Sequence, residues 1–81
     1  MPRFYFNLID GVEQFSDFEG SELPGLAEVA GRALHCARDL MSEDVRNGRL
    51  HLNMRLTVTD EHGAAVHQLT FVDAVEIVFP D

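Results

Sequence analysis

An α+β two-layer sandwich is the fold this sequence predicts: β-β-α-β-β, an antiparallel four-stranded sheet, one long helix on one face and a short C-terminal element. Three observations carry that reading. An Asp-Gly pair at 10–11 stands between two apolar runs, a strong hairpin signal. Residues 26–46 repeat apolar side chains in steps of three and four. Residues 51–60 alternate apolar and polar side chains more cleanly than any other stretch. Tight turns make the strand pairs antiparallel, and one helix can cover one sheet face. Eighty-one residues make a single domain spanning 1–81.

The first strand is expected over 3–9, where aromatic and β-branched residues concentrate. Phe4, Phe6 and Leu8 share one face; Arg3, Tyr5, Asn7 and Ile9 share the other. A type I′ turn at Asp10-Gly11 pairs Ile9 with Val12, Leu8 with Glu13 and Phe6 with Phe15, giving a second strand at 12–16. Ser16 to Gly25 is a connection, with Phe18 and Leu23 expected to anchor it to the core. Gly25 is an acceptable N-cap for the helix, and Glu28 suits the positive end of its dipole. The helical face holds Leu26, Val29, Ala30, Ala33, Leu34, Ala37, Leu40, Met41 and Val45, and Gly48 stops the helix after about 22 residues, ~33 Å. Gly31 is expected to mark close packing against the sheet.

In the third strand, 51–60, Leu52, Met54, Leu56 and Val58 point one way. Asp60 to Gly63 turns the chain into a fourth strand over 65–72, where a bulge near His67-Gln68 would put Val66, Leu69 and Phe71 all on the core side. Residues 73–81 read either as a helical turn capped by Asp73 or as a further short strand.

Charge and composition narrow the function. Fourteen acids against six bases give a net charge of -8, and every base is an arginine. That balance argues against a nucleic-acid binder that neutralises phosphates. It leaves a partner with a basic face as one functional reading and solubility as the other. The charge is polarised: Asp10, Glu13, Asp17, Glu19 and Glu22 crowd one segment, whereas Arg46, Arg49 and Arg55 lie close together. No apolar run is long enough for a membrane span, no signal peptide is expected, and a single cysteine suits a reducing cytoplasm.

The opening Met1-Pro2-Arg3-Phe4-Tyr5-Phe6-Asn7-Leu8-Ile9-Asp10-Gly11 resembles a family of short proteobacterial proteins known as a domain of unknown function. The likeness continues through Asp17-Phe18-Glu19-Gly20, the alanine-rich helix from Leu26 to Arg46, Val58-Thr59-Asp60-Glu61-His62-Gly63 and Phe71-Val72-Asp73-Ala74. It implies no activity, cofactor or catalytic residue. In fold order alone the chain is similar to small antitoxins with a degenerate RNase H-like domain.

Candidate chemistry is sparse. Asp10, Asp17 and Glu19 supply oxygen donors for a hard cation, but without the spacing of a calcium loop, and turn and capping chemistry on a solvated loop is the favoured reading. His62 and His67 flank a hairpin and offer a transition-metal alternative, without a Cys-x-x-Cys or His-x-x-x-His pattern. No catalytic triad or phosphate loop is visible, and no cofactor is expected. Apolar residues beyond the needs of one core do stand out: Tyr5, Ile9, Val72, Ile77, Val78 and Phe79. They read as a dimer surface or, for the tail, as a segment folded back on its own core. The expected function is a non-enzymatic cytoplasmic protein-interaction module acting as a homodimer. A regulatory or antitoxin-like protein with a basic partner is the alternative, and a small metal-binding protein or enzyme is the third reading.

Overall fold

The computed structural model describes residues 1–81. Its strands are β1 (Arg3–Asp10), β2 (Glu13–Phe15), β3 (Ser21–Glu22), β4 (Met54–Thr59) and β5 (Ala65–Thr70). One helix, α1 (Leu26–Arg46), lies between β3 and β4, and a 3-10 turn over Phe71–Ala74 follows β5. The strands form an antiparallel sheet in the order β2-β1-β4-β5, with β3 also paired to β1. The α+β class and the helix-on-sheet arrangement are as the sequence predicts.

The first hairpin turns one residue later than expected. Leu8 pairs with Phe15, Ile9 with Gln14 and Asp10 with Glu13, so the loop is Gly11-Val12 and Phe6 does not face Phe15. A type I′ loop at Asp10-Gly11 would need positive φ at Asp10, and no non-glycine residue here adopts one. Gly11, with φ of 62°, takes the first central position, as in a II′ turn, and Val12 avoids the strain a β-branched residue would suffer. β2 therefore shrinks to three exposed residues instead of spanning 12–16.

The connection after β2 holds the strand β3, which hydropathy did not signal; it pairs Phe4 with Ser21 and Arg3 with Glu22. Leu23 enters the core as expected. Phe18 does not: it is 90% exposed. The Asp17 carboxylate accepts the N–H groups of Glu19 and Gly20 (3.2 and 3.0 Å), which turns the chain and leaves residue 18 at the tip.

α1 buries Val29, Ala33, Ala37 and Met41 against the sheet. Leu26, Leu40 and Val45, expected on that face, are exposed. A 21-residue helix is about 32 Å long and six-residue β4 only about 20 Å, so the helix overhangs its sheet at the ends and leaves Leu26 and Val45 out. Leu40, between buried Ala37 and Met41, instead lines an open groove with Leu8, Phe15 and Met54. Gly48 closes the helix with φ of 82°. Gly31 is a correction: it is exposed, and a Cβ there would meet nothing within 4 Å. Close packing does not explain it. Gly31→Ala should therefore raise stability by about 1 kcal/mol, read as a higher urea midpoint at unchanged slope.

β4 keeps its alternation, with Met54, Leu56 and Val58 buried and Leu52 half-buried. Residues 51–53 stay outside the ladder. β5 carries the bulge one or two residues earlier than expected. Val58 faces His67 while Thr59 faces Ala65, so Val66 is the extra residue. Val66 and Leu69 pack on the core and Phe71 is fully buried, so all three reach the core side. The C-terminal turn starts at Phe71, two residues before the expected Asp73 cap; Asp73 instead accepts the Thr70 hydroxyl at 2.6 Å. One half of the core gathers Met41, Met54, Leu56 and Phe71, the other Phe4, Leu23, Val29 and Val58.

Candidate functional site

The sheet face away from α1 is tied together by Asn7, a polar residue that is only 7% exposed. Its Nδ2 donates to the Thr57 carbonyl (3.1 Å) and Thr59 Oγ1 (3.3 Å), and its Oδ1 accepts the Asp17 N–H (3.0 Å). Asp17 in turn accepts the Phe6 N–H at 3.1 Å, so a carboxylate stands in for the missing strand partner between β2 and β3. Gly20, with φ of 72°, lies directly on Arg3, Phe4 and Tyr5. The Asp17–Gly20 loop thus accounts for much of the burial of Tyr5, one of the surplus apolar residues. Arg3 closes the same corner through the Glu19 carbonyl (2.7 Å) and the Glu22 carboxylate (3.2 Å).

The candidate metal donors are dispersed or spent. Asp17 has its oxygens on backbone N–H groups, and Asp10 accepts Asn53 Nδ2 at 3.0 Å. Glu19 uses its carbonyl, and its side chain is not drawn into the loop's hydrogen bonds. His62 sits on the β4–β5 turn and His67 within β5. No three His, Cys, Asp or Glu side chains converge on one point.

The β4–β5 turn owes its shape to Asp60, whose carboxylate accepts the N–H groups of Ala64 (3.0 Å) and His62 (2.8 Å). The Ala64 bond above all, with that of His62, holds this carboxyl below its ordinary value, although partial loss of water acts in the opposite direction. A depressed folded pKa means stability that is fully present above the unfolded pKa and lost as pH falls through the folded one. Asp60→Asn should accordingly lower the melting temperature at pH 6 and match the parent chain once pH drops below the folded value. A deficit that persists unchanged in acid would contradict this.

Cys36 is half-buried on α1. Burial first, then the Asp39 and Asp17 carboxylates, push its thiol up, so it stays protonated and is a poor nucleophile. His35 reaches Asp39 on the exposed helix face (3.3 Å), and His51 reaches Asp44 (2.9 Å); neither touches a nucleophile.

Three shallow grooves cross the surface. One of about 270 Å³ lies between Arg3, Phe4, Leu26 and the Asp60–His62 turn. A second, about 280 Å³, has a floor of Leu8, Phe15, Leu40 and Met54 beneath Asp10, Glu43 and Asp44. The third, about 420 Å³, is floored by Met41, Val45, Leu50 and Val75 and flanked by Arg38 and Arg46. It lies where α1 overhangs the sheet and is not visible in the sequence, because Leu50 folds back onto the helix end just after α1, and Val75 arrives only with the chain's return after β5. Arg38 Nε donates to the Ala74 carbonyl at 2.8 Å and holds that corner.

The surplus apolar residues divide between two sides. Tyr5 and Ile9 are half-buried on the sheet face away from the helix. Val75 packs on the core at the helix side, and residues 76–81 are exposed, Ile77 less so than Val78 or Phe79. Val78 and Phe79 are 80% and 77% exposed, and Ile77 and Val72 are exposed as well. No backbone hydrogen bond ties down residues 75–81. The segment is thus not folded back on its own core beyond Val75. No helix is long and apolar enough to cross a membrane.

Neither a curated protein nor a solved structure matches this chain. A family model does match, over residues 3–72, from the first residue of β1 through the start of the 3-10 turn. Every strand and the whole of α1 fall inside that span, so the chain belongs to the family described as Domain of unknown function (DUF6894).

Proposed function

We propose that this protein is a non-enzymatic, cytoplasmic protein-interaction module that works as a homodimer. The observation that carries the reading is the run Ile77-Val78-Phe79, exposed on a segment without backbone hydrogen bonds. Burying one such side chain is worth about 1.5–3 kcal/mol, and a two-fold dimer buries each twice. The non-enzymatic part draws support from a protonated Cys36, dispersed histidines and grooves too shallow to enclose a substrate. A lone thiol with no disulfide partner fits a reducing compartment. Light scattering on a sizing column should give twice the 9.1 kDa chain mass at micromolar concentration, and a purely monomeric species would refute the homodimer.

A second reading has its own observation. The groove over Leu8, Phe15, Leu40 and Met54 is rimmed by Asp10, Glu43 and Asp44, which suits a cationic, apolar segment of a regulatory or antitoxin-type target. Co-purification with a small basic protein, abolished by Asp10→Lys and Glu43→Lys, is its expected result. Retention of the partner by that double variant would discard it.

A further inference from the structure

We propose that the groove under Arg38 and Arg46 is the seat for residues 76–81 of a second copy of this chain. The inference rests on the homodimer reading and names its contact. Both halves are on the surface and unsatisfied. The groove has an apolar floor of Met41, Val45, Leu50 and Val75, with Val45 and Leu50 exposed to water. The tail carries Ile77, Val78 and Phe79, also exposed. Their charges are complementary: Arg38 and Arg46 flank the groove, while Glu76 and Asp81 bracket the apolar run of the tail. Arg46 has only a loose intrachain partner, Glu43 at 3.9 Å on the exposed helix face.

Connectivity supports the exchange. Val75 lines the groove itself, and the next residue begins the free tail, so each chain's tail departs from the rim of its own groove. A two-fold axis beside that rim lays each tail into the other chain's groove, and one set of contacts closes the dimer without open ends. Val75 is extended, with φ of -140° and ψ of 158°. Continued in that conformation, Val75, Ile77 and Phe79 lie on one side of the segment, so that Ile77 and Phe79 meet the partner's Val45 and Leu50.

The test is sedimentation equilibrium on the full chain, four single variants and one double variant, with circular dichroism melts to confirm folding. Phe79→Asp removes the tail anchor and Leu50→Asp spoils the groove floor; each is expected to raise the dimer dissociation constant at least about a hundredfold. Both positions are exposed in the single chain, so its melt should be preserved; where one is lost, Phe79→Ala or Leu50→Ala takes its place with at least about a tenfold effect. Arg46→Glu and Glu76→Arg are each expected to weaken the dimer about tenfold, and their combination in one chain to restore it within about threefold. A monomeric parent chain overturns both this inference and the homodimer. A parent dimer indifferent to the tail or groove variants, or charge variants without rescue, overturns only the exchange and leaves the homodimer standing.

Discussion

Gly20→Ala is expected to destabilise the fold by about 3 kcal/mol, a large share of what a domain of this size holds in reserve. Two costs add. Gly20 sits at φ of 72°, a left-handed conformation that costs an alanine about 1–2 kcal/mol. The new Cβ would also lie 2.9 Å from Arg3 Cγ, 2.9 Å from Tyr5 Cε1 and 3.0 Å from the Phe4 carbonyl oxygen. None of these is a free side-chain end: one is a backbone atom of β1, one belongs to a ring, and one is near the root of an arginine whose tip is bonded to Glu19 and Glu22. The loop must lift from the sheet, weakening the Asp17 bonds behind it. Urea unfolding should show a lower midpoint with an unchanged slope. A Gly20→Ala midpoint equal to that of the parent would mean that this loop does not hold β1. Gly31→Ala is the matched control, since it adds the same methyl in open space with the opposite sign.

Asn7→Leu is expected to cost about as much, roughly 3 kcal/mol. Leucine fits a strand and has the same branched skeleton of heavy atoms, so the main loss lies in what remains behind, with the bulk of its two methyl groups added to it. The Asp17 N–H loses its acceptor, and the Thr57 carbonyl and Thr59 hydroxyl lose their donor, around a buried side chain with half-buried partners. A buried polar group left without a partner costs about 1–3 kcal/mol, more than the net worth of the bond itself. Asn7→Asp should be nearly as harmful, because a carboxylate has no donor for Thr57. Amide exchange at Phe6 and Asp17 should quicken in Asn7→Leu, since the Asp17 loop loosens when its N–H loses the Asn7 acceptor. Unchanged protection there would remove Asn7 from that role.

These two positions show what was legible in the sequence. Among the motifs that resemble the family, the turn at Asp60 to Gly63 is readable from the sequence, whereas the contacts of Asp17 and Gly20 with β1 are not. Asp17-x-Glu19-Gly20 reads from its spacing as turn and capping chemistry, with a cation as the minor alternative. In the fold, Asp17 accepts backbone N–H groups and Gly20 lets the loop touch β1. Asp60 to Gly63 likewise shapes a turn. The turn-forming partners of Asp17 and Asp60 lie two to four residues on, within local reach; the Phe6 N–H and the contact of Gly20 with β1 belong to another segment, which no spacing rule reveals. Asn7 was visible only as a polar residue on the open face; its burial depends on a loop ten residues away. The tail was recognised as too apolar for a solvated end, but the groove facing the same solvent was not foreseen.

Periodicity by itself determined the class of this protein: one helix of steps three and four, an alternating strand, and turns that make neighbours antiparallel. Those signals are local, since a residue's neighbours three or two positions away set which face it presents. Tertiary structure alone decided the rest. It moved the first turn to Gly11-Val12, because only a glycine here takes positive φ. It exposed Leu26 and Val45, because the helix outruns the sheet, and it placed Leu50 and Val75 beside Val45. The physical reason is common to all of them: burial and hydrogen bonding are settled by what lies across from a residue, and the sequence records only what lies beside it.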